Sequence, residues 1–90
     1  MEKRQFTKIA KALADPRRFE ILQQIAAEDE MSCSSLRECQ AITAATLSHH
    51  VKELEAAGLV DVRRESKFLY LQLHRPAWKA YLKELKKIGR

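Results

Sequence analysis

The sequence is poor in the residues that irregular loops and tight turns need. Only two of its 90 residues are glycine and two are proline. This scarcity argues against an all-β fold with many turns. The glycines, Gly58 and Gly89, stand far apart, which excludes a glycine-rich phosphate-binding loop. A chain of this length fits one domain, 1–90, that buries a modest fraction of its surface, so we expect a partner subunit.

Cysteine and long apolar runs are scarce as well. Two thiols, Cys33 and Cys39, are too few for a disulfide framework. No secretory signal opens the chain and no apolar run has the length that spans a bilayer, which predicts a cytoplasmic protein without membrane contact. The sequence also offers no nucleophile with a placed base and no metal constellation, so we expect neither an enzyme nor a cofactor.

Charge is distributed unevenly along the chain. Residues 1–62 hold eight basic and ten acidic side chains, a formal charge of −2, whereas residues 63–90 hold nine and two, a charge of +7. The total is +5. A basic end on a small domain suggests an anionic partner such as nucleic acid or a membrane surface, although solubility alone can explain it.

Apolar periodicity predicts five helices and one hairpin. The expected helices span 2–14, 16–27, 31–40, 43–57 and 76–88, and the expected strands span 59–64 and 67–73. Asp15, Thr43, and either Ser32 or Ser34 are the predicted N-caps, and Gly58 suits the left-handed position that ends the fourth helix. The second helix is expected to bury five apolar side chains: Phe19, Ile21, Leu22, Ile25 and Ala26.

The fourth helix has a polar face that is suited to DNA. A short helix, a tight connection and this helix together form the helix-turn-helix pattern. Hydroxyl groups, an imidazole and an ammonium group can contact bases or phosphates, and small side chains let a helix enter the major groove of double-stranded DNA. An ordinary solvated helix face is the alternative. The candidate DNA contacts here are Thr43, Ala44, Ala45, Thr46, Ser48, His49 and Lys52.

The hairpin that follows has a basic tip. Arg63, Arg64 and Lys67 flank the turn, where they can contact phosphates or simply protect a sheet edge. A ribbon directly after a helix-turn-helix predicts a winged helix-turn-helix fold. The expected fold is therefore mainly α with a β-hairpin wing, in the order α-α-α-α-β-β-α.

Three blocks of the sequence resemble the ArsR/SmtB family of arsenical-resistance and metal-responsive repressors. LADPRRFEIL (residues 13–22) resembles the family's L-x-DPTR-x-x-IL opening. TLSHHVKELEAAGLV (46–60) is similar to the recognition helix S-x-HH-L-x-x-L-x-x-AGLV, and RRESKFLYLQL (63–73) to the wing RREG+-x-x-Y-x-L. Together, and in this order, the blocks cover most of the chain.

The resemblance implies a sequence-specific transcriptional regulator that acts as a homodimeric repressor on an inverted repeat and is released by a signal. In the family the first and last helices form the dimer interface. Here the corresponding apolar stripes either supply that interface or complete the core of the single chain. The expected interface residues are Phe6, Ile9, Leu13, Trp78, Tyr81, Leu82 and Leu85.

The family's common metal sites have no counterpart in this sequence. Arsenical sensors carry a Cys-x-Cys pair where this chain has Ser32 and Ser34, and hydroxyl groups are poor ligands for soft metals. On a single helix, the spacing of Cys33 and Cys39 places their side chains too far apart to share a metal ion or to form an unstrained disulfide. We therefore expect no metal. Two alternatives remain: a winged-helix module that binds a protein, and a thiol-responsive regulator that uses Cys33 and Cys39.

Overall fold

Five helices and three strands make up residues 1–89, the part of the chain that the computed structural model describes. This confirms the mainly α architecture with a β-hairpin wing. The elements in chain order are α1 (Lys3–Leu13), α2 (Pro16–Ala26), β1 (Met31–Ser32), α3 (Cys33–Gln40), α4 (Ala44–Ala56), β2 (Val60–Glu65), β3 (Phe68–Leu73) and α5 (Arg75–Ile88).

Side-chain caps fix the starts of α2, α3 and α4. Asp15 accepts a hydrogen bond from the Arg18 backbone N–H at 3.0 Å, and Ser32 accepts one from Ser35 at 3.1 Å. Thr43 Oγ1 accepts from the Thr46 N–H at 3.2 Å. Each bond satisfies a backbone donor that has no partner inside its helix. The predicted caps at Asp15 and Thr43 are confirmed, and of the two serines Ser32 is the cap.

The end of α4 confirms the prediction for Gly58. Its φ of 79° is left-handed, a conformation in which a side chain would be strained. The Gly58 N–H donates to Glu55 O at 2.9 Å and the Leu59 N–H donates to Leu54 O at 3.0 Å. These two bonds form a Schellman motif, which turns the chain from α4 into the wing.

The sheet has one strand more than the sequence predicted. Its order is β1-β3-β2 and both pairings are antiparallel. Met31 and Ser32 were expected to open the third helix, but they pair with Leu71 and Tyr70 of β3, and α3 begins at Cys33. The prediction was wrong at this point because two residues are too short to show a strand pattern, and this strand exists only through its partner.

The core lies where the five helices and the sheet meet, with Tyr81 as the contribution of α5. Its largest fully buried side chains are Ile9, Ile21, Ile25, Leu36, Leu54, Leu59 and Leu71. Phe19, predicted to lie in this core, is 39% exposed. It lies at the edge of the apolar stripe of α2, away from Ile21 and Ile25 on the helix surface, so only part of its ring is covered. In the described residues, no helix combines the length and apolarity needed to cross a membrane.

The turn of the wing strains one residue. Glu65 pairs with Phe68, so Ser66 and Lys67 form a two-residue turn. Ser66 has a φ of 58°, in the region that disfavours a side chain. We expect Ser66→Gly to raise the free energy of unfolding by about 0.5–1 kcal/mol, measured by urea denaturation.

The neighbouring turn residue provides the control for this prediction. Lys67 is not among the residues with positive φ, so Lys67→Gly adds freedom to the unfolded chain without relieving strain. It should lower the free energy of unfolding. If Ser66→Gly lowered the free energy of unfolding as Lys67→Gly should, or if the two substitutions had equal effects, the assignment of strain to Ser66 would be contradicted.

Candidate DNA-binding surface

The ten residues that the sequence predicted as DNA contacts are all exposed. Seven of them lie at the start and along the outer side of α4, and three lie on the wing. On α4, Ala45, His49 and Lys52 recur at helical spacing on the side opposite Leu47, which is 2% exposed. Burial of Leu47 therefore orients this polar side toward solvent.

The threonines at the start of α4 serve both the cap and the surface. Thr43 Oγ1 accepts from the Thr46 backbone and donates to Thr46 Oγ1 at 2.9 Å. Thr46 Oγ1 accepts this bond and still has its own hydrogen to donate outward. The cap thereby fixes the orientation of a hydroxyl group at the end of the helix that would enter a groove.

Two arginines of α2 hold the helix-turn-helix together. Arg17 donates to the Gln40 carbonyl at 2.8 Å, at the end of α3. Arg18 donates through Nε to His50 Nδ1 at 3.3 Å, and to the Ala12 carbonyl at 3.4 Å. The DPRR segment thus places α2 against both helices of the motif. The sequence assigned no role to the two arginines of this segment beyond the family resemblance, because their main partners, Gln40 and His50, lie far away in the chain.

His50 is a buried polar residue at the contact of α2 with α4. It is 7% exposed, and its acceptance of the Arg18 bond requires an unprotonated Nδ1. Burial is the main cause that lowers the pKa of His50; the nearby Arg18, His49 and Arg17 also lower it, whereas Asp15 opposes them. His50 is thus a packed residue that accepts a hydrogen bond between α2 and α4.

The two arginines of the wing lie on opposite faces of the sheet. Successive side chains of a strand alternate between faces. Arg63 forms ion pairs with Glu30 and Glu65, each at 2.7 Å, and its guanidinium lies 4.5 Å from the centre of the Tyr70 ring. These carboxylates raise the pKa of Arg63, and Arg63 lowers the pKa of Glu30. Arg64 lies on the other face, beside α4.

A groove separates α4 from the Arg64 face of the wing. Ser48 and Lys52 of α4 line one side, and Arg64 and Leu69 of the wing line the other. Arg37 of α3 also lines it, a cation that sequence reasoning missed. Its basic character was visible, but nothing local in the sequence places α3 opposite the wing. Lys67 lies at the turn, with Nζ 5.9 Å from the centre of the Phe68 ring.

The residues predicted for the dimer interface divide into two groups. Ile9 is 0% and Tyr81 7% exposed, so these two complete the core of the single chain, as the alternative interpretation held. They have almost no surface to offer a second copy. Leu82 is 40% and Leu85 39% exposed on α5. The other three residues are half-buried: Phe6, Leu13 and Trp78.

The cysteines lie in different environments on α3. Cys33 is half-buried and Cys39 is exposed, and both thiols are free. Burial raises the pKa of the Cys33 thiol, so this thiol reacts more slowly than an exposed one. Between residues 1 and 89, no three side chains of the His, Cys, Asp or Glu type come together in a way that could hold a metal ion.

Comparisons with known proteins agree with this geometry. Residues 13–63 match a helix-turn-helix domain family, HTH_20. The HTH-type transcriptional regulator YceK of Bacillus subtilis (strain 168) is 35% identical over 75 residues, 82% of this chain and 75% of that protein.

Solved structures share the fold. An ArsR-like transcriptional regulator from Rhodococcus sp. RHA1 matches with a TM-score of 0.83 and 24% identity, over 94% of this chain and 79% of that one. The homodimeric winged helix-turn-helix DNA-binding domain of Mb0332 from Mycobacterium bovis matches with a TM-score of 0.76 and 24% identity, over the same shares of 94% and 79%. The polar side of α4 and the wing thus stand on a winged helix-turn-helix framework.

Proposed function

Because the chain belongs to the helix-turn-helix family of transcriptional regulators, in its ArsR-type winged form, we propose that it acts as a homodimer that represses transcription. The two copies of α4 enter successive major grooves of an inverted repeat, roughly 34 Å apart. Occupation of this operator blocks a promoter, and a signal molecule releases the protein. DNA binding itself follows from the family.

The main support for the proposal is that α4 and the Arg64 face of the wing border the same groove. Ser48 and Lys52 line one side of the groove and Arg64 the other, so α4 and the wing can contact one duplex together. The outer side of α4 is nearly uncharged, which suits reading of base edges by Thr46 and His49. The cations at its border suit phosphate contacts that set affinity.

Selection of genomic fragments by the purified protein tests this function. We expect enrichment of an inverted repeat whose half-sites are about one helical turn apart. Ser48→Ala and His49→Ala should reduce discrimination between the selected and scrambled sequences more than Lys52→Ala does. Enrichment of protein partners without any affinity for duplex DNA would instead support the protein-binding alternative.

The wing gives a sharper prediction, because its two arginines differ in their partners. Arg64 lines the groove beside α4, which supports a phosphate contact, whereas Arg63 is paired with Glu30 and Glu65. Arg64→Ala should weaken binding to all duplexes and reduce the slope of log Kd against log salt by about one unit. Arg63→Ala removes the same charge from the adjacent position and should change the slope by less than half as much. Equal slope changes in titrations from low to high salt would contradict this division.

The exposed apolar side of α5 supports the homodimer. Leu82 and Leu85 lie three residues apart, hence on one side of the helix, with Trp78 half-buried beside them. Leu13 of α1 is half-buried as well. A small domain gains stability by covering such a side with a second copy. Mb0332, whose fold this chain shares, is a homodimer.

A further inference from the structure

A pocket of about 330 Å³ lies in the groove between α3, α4 and the wing. Its apolar lining comes from three elements that the core holds in place. Leu47 and Val51 of α4 are 2% and 7% exposed, and Val62 packs against the hydrophobic core. Leu69 adds the wing side and Cys33 the α3 side. This volume lies at the small end of the range for small-molecule sites.

Three cations surround this apolar lining. Arg37, Lys52 and Arg64 come from α3, α4 and β2, and one carboxylate, Glu55, accompanies them. Within residues 1–89, none of these four side chains takes part in an ion pair or a side-chain hydrogen bond. Arg63, one residue from Arg64, is by contrast held by two carboxylates. The charge at the pocket is thus an uncompensated excess of two positive units.

We propose that this pocket binds a small amphipathic carboxylate, an anion with an apolar body, and that the bound ligand excludes DNA. The apolar body covers Val62, Leu69 and the neighbouring lining, and the carboxylate pairs with the cations. The exclusion rests on the proposed function, since Ser48, Lys52 and Arg64 belong to both sites. A DNA phosphate satisfies the cations but leaves the apolar lining in water, whereas an amphipathic anion satisfies both.

Octanoate is the probe for this site, and Cys33 reports its occupancy. Octanoate should slow alkylation of Cys33 by N-ethylmaleimide at least fivefold, followed by mass spectrometry. Cys39 is exposed and does not line the pocket, so its alkylation should not change in the same sample. Acetate has the charge without the apolar body and 1-octanol the body without the charge. The proposal is overturned if acetate or 1-octanol protects Cys33 as well as octanoate does. It is also overturned if octanoate does not protect Cys33.

Two adjacent residues of β3 give a matched pair of variants. Leu69 lines the pocket, whereas Phe68 points to the opposite face of the sheet and is 47% exposed. Leu69→Trp fills the pocket and should abolish octanoate binding, and Phe68→Trp should preserve it. Arg64→Gln, an exposed substitution that leaves the apolar lining intact, should weaken octanoate binding about tenfold. Unchanged affinity in both Leu69→Trp and Arg64→Gln contradicts the site.

Competition with DNA separates this proposal from the proposed function. Octanoate should displace bound duplex from the unaltered protein and from Phe68→Trp, but not from Leu69→Trp, as measured by fluorescence anisotropy. Protection of Cys33 without displacement of DNA overturns the exclusion. If the protein bound no duplex at all, the proposed function would fail, while the protection of Cys33 would still decide whether the pocket binds the anion.

Discussion

Replacement of Leu85 by glutamate is expected to convert the protein to a monomer and to weaken operator binding about 10²–10⁴-fold. Leu85 is 39% exposed on the apolar side of α5, so the single chain tolerates a polar side chain there. In a dimer that covers this side of α5, each copy would bury a glutamate in apolar surroundings, which is strongly unfavourable. Loss of the second α4 removes the gain that two linked contacts bring to operator affinity.

Sedimentation equilibrium and operator titration measure the two parts of this expectation. Lys83→Gln is the matched control, because it lies on the same helix, is exposed and changes the net charge by the same single unit. Lys83 lies about 100° around α5 from Leu82 and 160° from Leu85, away from the apolar side. The control should remain dimeric and bind DNA normally. A dimeric Leu85→Glu, or a monomeric one with full operator affinity, would refute the proposed interface.

The sequence predicted those features of the fold that depend on a few neighbouring residues. The Asp15 and Thr43 caps and the Gly58 terminus each need one residue type at one position, and each is confirmed. The burial of Leu47 and the outward polar side of α4 follow from the helical period alone. These local signals were sufficient to place α4 and to orient the residues that are proposed to contact DNA.

Features that depend on distant partners could not be predicted in this way. Arg63 and Arg64 are the same residue type at adjacent positions. Their proposed roles differ because Arg63 is paired with Glu65 and with Glu30, 33 residues earlier, whereas Arg64 lines the groove beside α4. Strand β1 is recognisable only beside β3. Whether Ile9 belongs to the core or to an interface depends on how α1 packs. The apolar period of one helix does not determine this packing. The sequence therefore predicted the helix face or strand on which each candidate residue lies, but it did not predict the side chains with which these residues interact.

Replacement of His50 by leucine is expected to lower the free energy of unfolding by about 1–3 kcal/mol, a large share of the total for a small domain. The substitution leaves Arg18 without the acceptor that its Nε–H has at 3.3 Å. His50→Asn should cost less, because its Oδ1 can take the place of Nδ1 as the acceptor. Urea denaturation at about pH 8, where the imidazole is neutral, measures both effects.

Protonation of His50 should make the fold less stable at acidic pH. The folded-state pKa of His50 is lowered from the ordinary value of 6.5, chiefly by burial. Between the folded and unfolded pKa values the unfolded chain therefore binds more protons. The free energy of unfolding should decrease as the pH falls through about 6.5, and should level off below the folded-state pKa. Protonation also cancels the Nδ1 acceptor and places a positive charge beside Arg18 and Arg17.

Three variants isolate this contribution between about pH 5.5 and 8, above the range in which carboxylates such as Asp15 titrate. His50→Asn should remove the part of the pH dependence that is due to His50 while it keeps the bond to Arg18, and His50→Leu should remove the same part at lower stability. His49→Asn, a change at an exposed neighbour on the outer side of α4, should leave the dependence intact. If His49→Asn flattened the profile and His50→Asn did not, the buried contact between α2 and α4 would not be its source. The acid sensitivity of the domain would then arise from the exposed side of α4 and not from the packing of α2 against α4.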